Sequence, residues 1–251
     1  MRQAGPPQTR GYPMQLSVVI PVKNEADNIV PLVDEVEAAL AGRFNFEILV
    51  VDDGSSDATI ERLKAAMPAR PRLRVIRHAA NRGQSAGVWT GVKRAKGTWI
   101  ATLDGDGQND PADLPGMWAR LEAEPRPDMV AGHRVLRKDT ASKKIASRLA
   151  NRIRSGLLKD ETPDSGCGIK VFRRELFLEL PYFDHMHRFL PALARRHGAR
   201  VVSVAVNHRP RGAGRSNYTN LGRLRAGLLD LLGVWWLIRR ARLPIDAREE
   251  T

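Results

Sequence analysis

The chain of 251 residues is long enough for one large domain with a full core, and its 42% apolar and 27% charged residues are those of a folded globular protein, not a disordered one. A single cysteine, Cys167, excludes an internal disulfide and fits a reducing compartment. The formal charge of +13 is uneven: residues 1–133 carry 16 Lys/Arg against 17 Asp/Glu, whereas residues 134–251 carry 25 against 11. That asymmetry points to an anionic partner: nucleic acid, an acidic membrane surface or a phosphorylated substrate.

Residues 1–14 have no apolar stretch, so they read as a flexible tail and not as a signal peptide. The β-branched run Leu16–Pro21 then predicts a buried strand, and Asn24–Leu40 a helix in which Ile29, Leu32, Val33, Val36 and Leu40 share one face. Phe46–Val51 predicts a second strand, Thr59–Met67 a helix and Leu73–Arg77 a third strand. A helix near Ser85–Ala95 and a strand over Thr98–Leu103 follow. Asp113–Leu121 reads as helix and Asp128–Gly132 as a fifth strand. Strands and helices alternating at this spacing imply a parallel sheet covered on both faces. Neither the dinucleotide-binding glycine pattern nor the P-loop pattern occurs.

The second half is more basic. Ile145, Leu149, Ile153 and Leu157 form an apolar stripe flanked by Lys143, Lys144, Arg148, Arg152 and Arg154, which predicts a basic amphipathic helix. Gly168–Phe172 and Val201–Val206 predict further strands. In Leu221–Leu243 the uncharged core, Leu231–Ile238, is far short of the ~20 residues that a spanning helix needs. Flanking arginines with Trp235 and Trp236 at one end suit a helix lying in a membrane interface, although a core or oligomer helix fits the same pattern. The expected organisation is a tail (1–14), one catalytic domain (15–218), an amphipathic interface helix (219–244) and a short tail (245–251).

Four acidic or polar clusters fall just after predicted strands: Pro21–Glu25, Asp52–Asp57, Asn81–Gly87 and Asp104–Gln108. In a parallel sheet they share the edge where open α/β folds bind ligands. Asp53 is placed to accept hydrogen bonds from a base or ribose, and Asp57 to cap the following helix. Asp104 and Asp106 end a buried run one residue apart, an arrangement suited to a hard divalent cation that also holds a diphosphate; Gln108 offers a neutral oxygen beside them. A calcium loop is excluded, because its sixth position is Asn109 and its twelfth is Pro115. Cys167 has no evident base partner and reads as a packing residue. Of the histidines, His187 in MHRFLP is the one expected near an acceptor, and none forms a metal-ligand pattern.

These segments resemble glycosyltransferase family 2, whose fold is GT-A: an IPVKNE-like strand end (Ile20–Glu25), VDDGSSD (Val51–Asp57) and Asp-x-Asp (Asp104-Gly105-Asp106). The likeness is closer to the polyprenyl-phosphate, dolichol-phosphate mannosyltransferase-like branch. It rests on Asp104–Gln108 with Pro111, Asn81-Arg82-Gly83, Gly132-His133-Arg134, Asp164–Gly168 and Arg211–Ser216. The branch's lysine after Ser216 is Asn217 here, and its usual aromatic stands as Lys23. The resemblance implies an α/β GT-A domain with a single, mostly parallel sheet. It implies that Pro21, Lys23, Glu25, Val51, Asp53, Asn81, Gly83, Gly105 and Arg134 contact the nucleotide sugar. Mg²⁺ or Mn²⁺ is implied at Asp104, Asp106 and Gln108. The resemblance also implies that Asp104, Asp106 and Arg211 are the catalytic residues, with Arg211 a phosphate clamp joined by Arg215 and Ser216 at the acceptor phosphate.

The reaction so implied is inverting, metal-dependent transfer of a sugar from a UDP- or GDP-sugar to a polyprenyl phosphate. The expected partners are those two substrates and an anionic membrane surface, with a homo-oligomer left open and no nucleic acid. The expected location is the cytoplasmic face of the inner membrane, peripherally held without a transmembrane helix. A relative with a soluble or other lipid acceptor is the alternative. A basic nucleic-acid-binding module is a distant one, since it lacks aromatic-basic strand motifs and zinc spacing.

Overall fold

The computed structural model describes residues 14–135, 154–210 and 220–240, with side chains from 227 onward in the last segment. Its strands are β1 Leu16–Val22, β2 Phe46–Asp52, β3 Leu73–Arg77, β4 Trp99–Thr102, β5 Met129–Arg134, β6 Lys170–Arg173 and β7 Val201–Val206. Its helices are α1 Ile29–Leu40, α2 Thr59–Ala66, α3 Gln84–Arg94, α4 Leu114–Glu122, α5 Arg174–Leu178, α6 Leu190–Arg196 and α7 Asn220–Arg240. Among the described residues these strands form one sheet in the order β3-β2-β1-β4-β6-β5-β7.

The order follows from burial. All seven residues of β1 and of β2 are buried, as strands covered on both faces must be, and they pair in parallel from Leu16↔Phe46 to Val22↔Asp52. Helices α1, α2 and α4 close one face over Val18, Ile20, Ile48 and Val50. Helices α3, α5, α6 and α7 close the other over Val19, Leu49, Ile100 and Phe172. Helix α3 lies close on β1: a Cβ at Gly91 would sit 2.3 Å from Val19 Cγ1. Only glycine admits that approach.

The sheet is mostly parallel, as the alternation implied, but β6 runs antiparallel to both β4 and β5. The N-terminal end of β6 therefore meets the C-terminal ends of its neighbours. This reversal brings the segment 164–168 to the edge where the other clusters gather.

Two departures from the sequence reading concern the basic half. The amphipathic stripe at 145–157 lies largely outside the described residues. Its last part is helical over 154–158, and Arg154, one of the basic residues flanking the stripe, is buried against Asp160 and the Thr162 carbonyl. In α7 the two tryptophans part company. Leu231, Val234, Trp235 and Ile238 pack on the core, while Leu228, Leu229, Leu232 and Trp236 face outward, Leu229 71% exposed and Trp236 55%. Among the described residues no helix is long and apolar enough to cross a membrane.

Candidate active site

The site grows from the C-terminal edge of β1, β2 and β4. Asp53 follows β2 and is buried. Its Oδ1 accepts from His78 Nδ1 at 2.7 Å and from the Arg82 N–H at 2.8 Å; its Oδ2 accepts from the Gly83 N–H at 2.7 Å. In the neutral His78 ring, Nε2 then accepts from the Thr90 hydroxyl at 2.9 Å. Asp53 thus binds the Asn81–Gly83 loop to the strand edge, and one of its lone-pair positions remains for a ligand. Asn81 Oδ1 accepts from the Gly83 N–H at 3.2 Å, and Gly83 takes φ +90°, where L side chains are strained.

Pro21 and Val51 are buried and pair across β1 and β2, and Lys23, just past the end of β1, is half-buried. Glu25 accepts from Asn28 Nδ2 at 2.6 Å, so the carboxylate steadies the start of α1. Asp57 reaches back across the same corner. Its Oδ1 accepts from the Thr59 N–H at 3.0 Å and its Oδ2 from the Ala26 N–H at 3.3 Å. Burial pushes its carboxyl up, but the Thr59 hydroxyl and these N–H groups outweigh that and hold it below the ordinary carboxylate range.

Asp104 stands just past β4. Its Oδ1 accepts from Gln84 Nε2 at 2.7 Å, and its backbone N–H donates to Asn109 Oδ1 at 3.0 Å. A Cβ on Gly168 would fall 2.1 Å from Asp104 Oδ2, so glycine there is what makes room for the carboxylate. Burial first, and then the neighbouring Asp106, push the Asp104 carboxyl up, against the pull of Lys170 and Arg134. Asp106 Oδ1 accepts from the Gln108 N–H at 3.1 Å. The Gln108 amide is oriented by Arg209: its Nε2 donates to the Arg209 carbonyl at 3.4 Å, while Arg209 N–H donates to the Gln108 carbonyl at 3.0 Å. That leaves Gln108 Oε1 as the acceptor atom on offer.

Beneath these oxygens lies Lys170, the first residue of β6, only 3% exposed. Its ammonium donates to the Cys167 carbonyl. Burial pushes it below its ordinary value, against the attraction of Asp104 and Asp164. Arg134, expected to reach phosphate, is gripped by Asp164. Its Nε and Nη2 donate to the two carboxylate oxygens at 2.6 and 2.8 Å, leaving Nη1 free of that pair. Cys167 is fully buried, consistent with packing, and burial pushes its thiol up. Arg211, Arg215 and Ser216 lie outside the described residues.

Three residues at this edge were not singled out by sequence reasoning. Gln84 and Ser85 belong to the Asn81–Gly87 cluster, but nothing in it ranks them above their neighbours. Lys170 is the lone charge in the apolar run Gly168–Phe172, which is a legible signal for a buried cation with partners. Among the described residues no group of three or more His, Cys, Asp and Glu side chains cages a metal. Two carboxylates and one amide oxygen make an open donor set, one that suits a hard cation sharing its remaining positions with substrate oxygens. Two mutually repelling carboxylates, one of them desolvated, fit that group.

An α/β domain with its acidic cluster at the parallel strands' C-terminal edge is the build of an enzyme that binds its substrate in that crevice. The sequence model of the family described as Glycosyl transferase family 2 matches residues 17–180, and the chain belongs to that family and is a glycosyltransferase. It is 35% identical over 236 residues to a dodecaprenyl-phosphate galacturonate synthase of Rhizobium johnstonii, covering 92% of this chain and 69% of that protein. It is 34% identical over 209 residues to an undecaprenyl-phosphate 4-deoxy-4-formamido-L-arabinose transferase of an Enterobacter species, covering 82% of this chain. It spans 63% of that second relative's length. In fold it is similar to a glucosyl-3-phosphoglycerate synthase of Mycobacterium tuberculosis, solved with UDP, with a TM-score of 0.66, 20% identity and coverage of 89% of this chain and 80% of that one. The same synthase has been solved with Mn²⁺ and UDP-glucose (TM-score 0.65, 21% identity, 88% of this chain and 79% of that one).

Proposed function

We propose that this enzyme transfers a sugar, with inversion, from a nucleoside-diphosphate donor to a polyprenyl phosphate at a membrane surface. The observation that carries the reading is the Asp104, Asp106 and Gln108 array at the sheet edge, taken with relatives named for polyprenyl-phosphate acceptors. The nucleoside end of the donor sits over Pro21, Lys23, Glu25 and Val51, with Asp53, Asn81 and Gly83 closing round it. Gly105 lets the chain pass close to β1, since a Cβ there would lie 2.5 Å from Val22 Cγ1.

Asp104, Asp106 and Gln108 Oε1 would hold Mg²⁺ or Mn²⁺, which when bound would offset the charge that builds on the departing diphosphate. Gln84 fixes the rotamer of Asp104, and Arg134 Nη1 lies to one side for a phosphate oxygen. Arg211, Arg215 and Ser216 receive the acceptor phosphate. That acceptor is already an anion near neutral pH, so its attack requires no general base, and holding it in line supplies much of the rate.

The outward apolar face of α7, followed by Arg239 and Arg240, supports peripheral contact with an anionic leaflet, which for a cell-envelope enzyme of this kind is the cytoplasmic one. The test is an assay with a panel of UDP- and GDP-sugars, Mg²⁺ or Mn²⁺, and undecaprenyl phosphate in vesicles. A charged glycolipid product is expected, lost in D104N and D106N proteins of unchanged circular dichroism. Transfer that survives both substitutions overturns the metal assignment, and transfer only to soluble acceptors overturns the lipid one.

A further inference from the structure

The segment between α5 and α6 is tied down at two points. His185, in the left-handed conformation (φ 64°), donates from Nδ1 to Asp230 Oδ2 of α7 at 2.8 Å. Two residues on, His187 meets Ser85 twice: its backbone N–H donates to Ser85 Oγ at 3.3 Å, and its Nδ1 lies 2.7 Å from that same oxygen. Between them Met186 is buried, so the segment is held to the core as well. Ser85 is fully buried and follows Gln84, whose amide holds Asp104. The imidazole therefore sits beside the start of α3, on the same flank as the metal-binding carboxylate.

The hydroxyl's single hydrogen decides the ring's state. Ser85 Oγ already accepts from the His187 backbone, and no other acceptor for its proton is present among the described residues. The proton goes to Nδ1, which must then be a lone pair, and the ring hydrogen resides on Nε2. Burial and the neighbouring Arg188, Lys170 and His185 favour the same neutral ring. Among the described residues Nε2 has no protein partner, and the residue is half-buried, not sealed. A neutral donor of fixed direction, beside a site built for anions and sugar hydroxyls, is a recognition group.

We propose that His187 is a donor-contacting residue, its Nε2–H directed by Ser85 to an oxygen on the sugar side of the nucleotide sugar. This rests on the glycosyltransferase reading of the neighbouring site. It assigns to the MHRFLP segment the donor, and not only the acceptor.

Two measurements test it on the full chain. In ¹⁵N-histidine NMR without ligand, His187 is expected as the neutral Nε2–H tautomer at pH 7. An Nδ1–H or doubly protonated ring overturns the assignment, whatever the enzyme's substrate. Calorimetric titration with UDP- and GDP-sugars, alongside UDP and GDP alone, then locates the contact. H187A is expected to weaken binding of the preferred nucleotide sugar about tenfold, the worth of one good hydrogen bond, with little effect on the bare diphosphate. H187Q, whose amide nitrogen reaches the Nε2 position, is expected to recover most of that loss. Equal weakening in H187Q and H187A marks a merely structural histidine, and unchanged binding in H187A removes it from the site; either result overturns the proposal. Failure of the wild type to bind any nucleotide sugar counts against the enzyme reading itself and leaves the tautomer result standing.

Discussion

The carboxylate of Asp104 occupies the volume that a side chain at residue 168 would fill, with Asp104 Oδ2 2.1 Å from the place of a Gly168 Cβ. The two residues are neighbours because β4 and β6 are antiparallel: Thr102 pairs with Lys170, and two steps further along each strand lie Asp104 and Gly168. Thr102 Oγ1 donates to the Gly168 carbonyl at 2.7 Å and fixes that register beyond the ladder. The glycine is thus a demand made by a buried carboxylate just past the neighbouring strand.

Gly168→Ala must therefore turn Asp104 out of its rotamer or shift β6. Metal-dependent donor binding is expected to fall at least tenfold, with a stability loss of about 1–3 kcal/mol from overpacking. Calorimetry with Mn²⁺ and nucleotide sugar, next to a denaturant melt, reads both quantities. Retained affinity in G168A protein contradicts the placement of Asp104.

The Arg134–Asp164 pair joins β5 to the loop before β6, with side chains only 18% and 9% exposed. Asp164→Ala leaves a largely buried guanidinium without its fork partner. The expected cost is about 2–3 kcal/mol, set below the fully buried range because Arg134 keeps some solvent. Asp164→Asn is expected to cost less, because the amide oxygen still accepts one hydrogen bond. Urea melts of the two variants give the ordering; a harmless D164A contradicts it.

Much of the α/β frame was legible because each early strand is a short β-branched run closed by polar residues. Leu73–Arg77 and Val201–Val206 coincide with the strands observed, and the first helices differ at their ends only. The reversal of β6 was not legible. Four residues such as Lys170–Arg173 carry no mark of direction, and the connection before them falls largely in residues 136–153, outside those described. The same reversal hid the role of Gly168. Helices α5 and α6 were missed because each is under eight residues and their apolar positions, such as Leu176, Phe177 and Leu193, show no repeating period. The carboxylates of the site could be read from sequence, but their partners could not. Asp53 with His78, at two strand ends, and Asp104 with Gln84, at a strand end and the start of α3, are contacts that only the packed sheet brings together.

Asp57 gives the corner between β1 and α2 a defined pH response. Its carboxyl is held below its unfolded value of about 3.9, so the ionised form stabilises the fold. That contribution is fully present above the unfolded pKa and is lost as pH falls through the lower folded one. Asp57→Asn is therefore expected to flatten the acid limb of a stability–pH curve below about pH 4. An acid limb identical in wild type and variant excludes this contribution.

Cys167, the single cysteine, is expected to resist alkylation in the native state at pH 7–8. Its thiol is fully buried, and that burial keeps it protonated. Labelling by a maleimide should proceed only as the protein opens, so its rate follows global unfolding across a urea series. Fast stoichiometric labelling of folded protein contradicts the packing described.

The two faces of α7 separate a structural task from a surface one. Val234, 1% exposed, packs against the second core cluster, and Arg196 Nε donates to the Leu237 carbonyl at 3.2 Å. Val234→Asp places an unpaired carboxylate there and is expected to lower the melting temperature markedly. Leu229 and Trp236 make no such contribution. Leu229→Ser with Trp236→Ser is expected to leave the melt within about 0.5 kcal/mol of wild type, since exposed positions away from packing contribute little. The same double substitution should reduce flotation with anionic vesicles, because it removes the apolar area that an interfacial helix inserts. Should the double variant float as well as wild type, the outward face is not the membrane contact. Should it instead change the molecular mass in light scattering, that face joins two copies of the chain.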